Sequence, residues 1–183
     1  MRSRLLRIVG LVGLVLLSAC RPSSTLDSTA APLLLETLRN TAYPSAFAEE
    51  GVARLVNGRF EEWPIPNAAS HTTIVLAEPV AHGDLNGDGT TDAAVLLIAN
   101  TGGSGNYREL VPVLNESGTP KPLKGVLLGD RVRIESLMIE GDRIVVTMRA
   151  QGPDDPMPSP TRQVRRVYRL VGEELVPSPN ASP

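Results

Sequence analysis

Residues 84–92, Asp-Leu-Asn-Gly-Asp-Gly-Thr-Thr-Asp, bring together the side chains of this 183-residue chain that could do coordination chemistry. Oxygen-bearing side chains recur at every second position (Asp84, Asn86, Asp88), Gly89 allows a sharp turn, Thr90 offers its backbone carbonyl, and Asp92 returns a carboxylate. That donor set suits a hard cation. Ca²⁺ takes about six to eight oxygens at about 2.3–2.6 Å, and a short loop curling round the ion supplies most of them from consecutive residues. The same residues also dominate ion-free turns. Three carboxylates converging without a cation would repel one another, however, so a bound Ca²⁺ is the expectation.

The segments on either side decide what kind of loop this is. Its spacing matches positions 1, 3, 5, 6, 7 and 9 of the EF-hand loop, but position 12, where a bidentate Glu belongs, is Val95. Pro79 and Gly83 do not fit an entering helix, and residues 93–98 are an apolar run of strand length. Residues 82–96 resemble the Gly-Asp-x-Asn-Gly-Asp-Gly-x-x-Asp-apolar motif of FG-GAP and related extracellular repeats, in which a calcium loop joins two β-strands. The resemblance implies Asp84, Asn86, Asp88, Thr90 and Asp92 as the ligands. Propellers of that family need many copies of the repeat, and the single copy here excludes one.

At the N-terminus, residues 1–7 carry three arginines, residues 8–17 form an apolar core, and Leu17-Ser18-Ala19-Cys20 closes it with small residues. This is the pattern of a secretory signal, and its core is too short to span a bilayer. The last four residues resemble the bacterial lipobox, which implies cleavage before Cys20 and acylation of that residue. Several acyl chains, at about 0.8 kcal/mol per buried CH₂, give durable anchoring. Cys20 is the only cysteine, so there is no internal disulfide and lipidation accounts for the odd thiol. The expected location is extracytoplasmic, on a bacterial membrane. Removing residues 1–19 takes three arginines and no acid from 18 basic and 20 acidic residues, leaving 15 against 20 and a formal charge of −5. An acidic soluble part argues against nucleic acid or anionic lipid as a direct partner.

The expected organisation is a signal peptide (1–19), lipidated Cys20 with a Ser/Thr-rich tether (20–31), one β-rich domain (32–176) and a disordered tail from Pro177 (177–183). Pro32 opens a short helix with Leu34, Leu35 and Leu38 on one face. Residues 52–56 and 59–62 read as a hairpin closed by Asn57-Gly58. Residues 72–78 form the strand entering the loop and 91–99 the exit strand, apolar enough for the centre of a sheet. Residues 107–115 follow, with Pro112 suggesting an edge or a bulge. Strands at 126–128, 131–139 and 143–150 come next, and a hairpin of 164–170 with 173–176 closes the chain. Arg162, Arg165, Arg166 and Arg169 make a local basic stripe, either a solvated strand face or a dock for an acidic partner. The second half also resembles a group of uncharacterised bacterial lipoproteins whose Gly-Pro-Asp-Asp-Pro-Met segment is followed by two cysteines; Pro158-Ser159 stands there in this chain.

Signals for catalysis are sparse. His71 and His82 form no His-x-x-x-His pair, and residues 103–106 miss both the serine-hydrolase elbow and the end of a P-loop. A carboxylate pair such as Asp154-Asp155 has acid–base potential in principle, and its Pro-rich setting points to solvation. The expected fold is α+β, mainly β: a twisted antiparallel sheet of roughly seven to nine strands with a short N-terminal helix and the calcium loop between two strands. The expected function is a non-catalytic binding or structural module with a structural Ca²⁺, tethered to the membrane and facing an envelope protein or polymer. The alternative is an envelope-polymer hydrolase that uses carboxylates. Oligomeric state is not legible.

Overall fold

The structure, a computed structural model, describes residues 31–63, 65, 71–153, 155 and 159–178. The signal, Cys20 and nearly all of the tether lie outside the described residues, as do Asp154 and residues 179–183. In chain order the elements are α1 (Leu35–Arg39), β1 (Ala42–Pro44), β2 (Val52–Arg54), β3 (Arg59–Glu62), β4 (Thr72–Gly83), β5 (Asp92–Asn100) and β6 (Tyr107–Glu116). There follow β7 (Thr119–Pro122), β8 (Val126–Asp130), β9 (Arg133–Glu140), β10 (Arg143–Ala150), β11 (Arg162–Val171) and β12 (Glu174–Pro177). The chain is mainly β with antiparallel pairing and one short helix, as expected. Instead of a single sheet of seven to nine strands, however, the described residues form twelve strands in three sheets.

The central sheet runs β3-β4-β5-β6-β7, with β8 also paired to β6. Its middle strand, β5, is buried on both faces, and strand alternation sends its side chains into two separate cores. Ala94 and Leu96 join Leu110, Ile144, Val146 and Met148 in the layer against the four-stranded sheet β12-β11-β10-β9. Ala93, Val95, Leu97 and Ala99 join Leu38, Tyr43 and Val113 beneath α1 and the β1-β2 pair. The near-continuous apolar run of this strand therefore serves a three-layer arrangement.

Several local expectations change for stated reasons. Asn57 and Gly58, both at positive φ, do make the expected turn, closed by two hydrogen bonds between Val56 and Arg59, but the pairing stops there: β2 pairs with β1 and β3 with β4, so the turn joins two sheets. Leu34 is 67% exposed because it is the extended residue preceding α1; Leu33 and Leu38 supply the core contact. Pro112 lies inside a strand paired on both sides. It falls between the segments of β6 that β8 and β7 cover, where only its carbonyl is used, accepting from Leu123 N–H at 2.9 Å. Pro177 belongs to β12, opposite Tyr168, and is not tail. The basic stripe is split by the two-residue period: Arg165 and Arg169 alternate with Val164, Tyr168 and Leu170 of the inner core, whereas Arg166 points inward and donates to the Leu128 carbonyl at 3.0 Å.

Gly83 ends β4 directly before the loop. A Cβ placed there would stand 2.5 Å from Ile139 Cγ2 of β9, so the absence of a side chain lets the two sheets close over the loop's entry. The double-sided burial of β5 has a measurable consequence. Leu97→Ala is expected to lose about 2–5 kcal/mol in urea unfolding, while Leu127→Ala, 54% exposed in the native protein, stays within about 0.5 kcal/mol. Equal losses would contradict the layer assignment.

Candidate metal centre

The loop joins β4 to β5, so it is fixed at both ends to the best-buried part of the sheet. Leu85 sits in the core beside Ala81 and Ala94, which forces its neighbours Asp84 and Asn86 toward solvent. Asp92, the first residue of β5, is 0% exposed. Its Oδ2 accepts the Leu85 N–H at 2.9 Å and its Oδ1 accepts the Asn115 N–H at 2.8 Å. Asn115 extends the joint: its Nδ2 donates to the carbonyls of Thr91 (3.0 Å) and Ala31 (2.9 Å), and its Oδ1 accepts the Gly118 N–H (2.7 Å). One buried carboxylate and one amide thus tie the loop to the β6-β7 turn and to the start of the described chain. Sequence reading missed Asn115, which carries no signal beyond ending a strand.

The outer half of the loop is organised by its own side chains. Asp84 accepts Gly87 N–H (2.7 Å) and Gly89 N–H (2.9 Å), Asn86 Oδ1 accepts Asp88 N–H (3.0 Å), and Asp88 Oδ1 accepts Thr90 N–H (2.7 Å). Asn86 Nδ2 also donates to Asp88 Oδ2 at 2.8 Å. Gly87 and Gly89 adopt φ of 78° and 81°, the left-handed conformation that the curl needs and that a Cβ resists. The Asn86 amide, followed by the Thr90 N–H, holds the exposed Asp88 carboxyl below its ordinary range. At Asp92 burial dominates and pushes the carboxyl up. Its two amide hydrogen bonds pull it back, while the charges of Asp88 and Asp84 add to the upward shift.

The donor set is all oxygen, which fits a hard cation, and each carboxylate keeps lone pairs beyond those its amide partners use. Val95, at the position of the missing Glu, is fully buried in the core beneath α1 and cannot contribute. Among the described residues, no three His, Cys, Asp or Glu side chains already stand together as a metal cluster. The structure therefore brings the expected residues onto one loop, with the two outer carboxylates turned to loop amides and Asp92 turned to the core. Comparison with known proteins finds no matching family model, no matching curated protein and no matching solved structure.

Two other features carry ionisable groups in unusual surroundings. Glu109, 7% exposed, accepts a 2.6 Å hydrogen bond from Ser45 Oγ beside a cavity of about 490 Å³, and burial pushes its carboxyl up. Nothing in a strand's alternation distinguishes such a residue from a solvated one. Asp155 is no free acid: it accepts the N–H groups of Gly152 and Thr161, each at 2.7 Å, and pins the ends of the Pro-rich excursion. Because Asp92 satisfies two buried amides, Asp92→Ala should cost about 2–4 kcal/mol in urea unfolding with chelator present. Asp88→Ala, on the exposed side, should cost much less. The reverse order would show that the buried joint does not hold the loop.

Proposed function

We propose that this chain is a membrane-tethered extracytoplasmic lipoprotein, a non-catalytic binding or structural module in which one Ca²⁺ rigidifies the loop between β4 and β5. Asp84, Asn86, Asp88 and Asp92 would hold the ion through side-chain oxygens and Thr90 through its carbonyl, with water completing the shell. The observation that carries this reading is the buried Asp92 carboxylate, pushed up by burial and by the neighbouring charges of Asp88 and Asp84 at the base of an all-oxygen loop. A cation there relieves the repulsion and stabilises the ionised form. The extracytoplasmic address is supported by the resemblance of residues 17–20 to a lipobox and by the single cysteine. A binding role is favoured over hydrolysis because each of four cavities lined by described residues carries at most one carboxylate, whereas acid–base hydrolysis needs two facing the same bond.

Three carboxylates without the bidentate Glu place the affinity at about 10⁻⁵ to 10⁻³ M, suited to a compartment where calcium is abundant. An ion that binds only the folded form at 100 times its Kd stabilises it by about 2.7 kcal/mol. Chelation is therefore expected to lower the melting temperature by several degrees, and Asp88→Ala to abolish that difference while leaving the sheet folded. Identical melting curves with Ca²⁺ and with chelator would overturn the reading. For the address, Cys20→Ser should release the domain from membranes or leave an uncleaved precursor; an unchanged membrane pool of normally processed protein would contradict it.

A further inference from the structure

β11 is longer than one of the two strands beside it. β10 covers one side of it from Arg162 to Arg169, but β12 pairs only with residues 168–171, so among the described residues the stretch 162–166 has no strand on its second side. The register settles which backbone groups face that open side. Ser178 N–H donates to the Val167 carbonyl at 2.8 Å, so residue 167 directs its hydrogen-bonding groups toward the β12 side, and the two-residue period turns the N–H and C=O of Arg165 and Gln163 the same way. Where β12 stops, Tyr168, Pro177 and Ser178 join Arg165, Arg166 and Val167 around a cavity of about 320 Å³. The open stretch is basic: Arg162 and Arg166 lie on the inner face with Val164 between them, and Arg165 on the outer face. Arg166 is engaged by the Leu128 carbonyl, and the exposed Arg165 reaches Glu140 at 3.5 Å. Arg162 is exposed and enters no salt bridge among the described residues. An open edge is a template for any extended chain, but like charges on paired strands repel. Arginine at 162, 165 and 166 therefore disfavours a second copy of this edge and favours a partner of opposite sign.

We propose that the open edge of β11 takes up an acidic, extended peptide segment of a partner protein, which adds a strand antiparallel to residues 162–166 in line with β12. Strand addition gains affinity from main-chain hydrogen bonds and selects its guest by alternate side chains. Counted from the residue opposite Arg166 to the residue opposite Arg162, the second and fourth guest residues bond the backbones of Arg165 and Gln163. The second and fifth carry acids beside Arg165 and Arg162, and the third is apolar, beside the half-buried Val164. The inference rests on the binding-module reading and gives that module a partner chemistry. The edge belongs to the four-stranded sheet, whereas the metal loop belongs to the central one.

The peptide acetyl-Thr-Glu-Val-Thr-Glu-amide is a probe with this pattern. Titrated into the purified full chain, it should give saturable shifts of the Gln163 and Arg165 amide resonances, and the same peptide with Lys for both Glu should give none. Methylating the probe's backbone nitrogen at its fourth residue, which faces β11, should weaken binding about tenfold, whereas methylation at its third, which faces away, should leave it nearly unchanged. Arg162→Glu and Arg165→Glu should each weaken binding about tenfold, and Arg133→Glu, on β9 at the other edge of the sheet, should not. Should Arg165→Glu lower the melting temperature, Arg162→Glu still decides the matter. Absent saturable shifts, equal affinity of the two methylated probes, or equal affinity in the wild type and Arg162→Glu would overturn the proposal. Binding should also persist in chelator: a chain that ignores Ca²⁺ yet binds the probe would sink the metal reading and uphold this one.

Discussion

A carboxylate with no exposure to water, accepting the N–H groups of Leu85 and Asn115, is the joint on which the loop's geometry depends. Moving an ionised acid into a protein interior is unfavourable unless hydrogen bonds and opposite charge compensate. The two amides supply the first kind of compensation. They also do structural work, since one belongs to the loop and the other to the far end of the neighbouring strand, so the charge of Asp92 draws three segments together. The second kind, opposite charge, is what Ca²⁺ would bring. Asp84 and Asp88 only add negative charge nearby, and the position of the usual twelfth ligand is given to the core through Val95.

The joint is useful because of the strand behind it. β5 feeds two cores at once, alternating Ala94 and Leu96 on one side with Val95 and Leu97 on the other. A strand so held cannot slip by one residue without turning both apolar sets to the wrong layer. Asp92 therefore has a fixed depth. The same rigidity reaches the other end of the strand, where the sheets diverge around Arg108 and Ile98.

The loop was legible because its chemistry is local: alternating oxygen donors and glycines in nine consecutive residues need no knowledge of distant partners. β5 was legible for a similar reason, its unbroken apolar run. What the sequence hid was pairing across distance. Asn57-Gly58 announces a turn, yet nothing nearby says that Val52 will pair with Pro44 while Arg59 pairs with Val75. Pro112 looked like an edge because a missing N–H usually marks one; the interruption between β8 and β7 that accommodates it arises from residues further along the chain. The roles of Asn115 and Glu109 depend on burial, which composition and periodicity do not encode at single positions.

The most direct test of a cation held by residues 84–92 is to follow backbone amide resonances while Ca²⁺ is added to the chelator-treated protein. Gly87 and Gly89, whose N–H groups now bind Asp84, and Leu85 and Asn115, whose N–H groups bind Asp92, report on every carboxylate that would have to turn toward the ion except Asp88, which Thr90 reports. The account predicts saturable shifts at these five amides, within the millimolar range or below, and little change in β9 to β12. Amides that stay in place through millimolar Ca²⁺, or that drift together with the rest of the protein, would mean that the loop is held by its own hydrogen bonds alone.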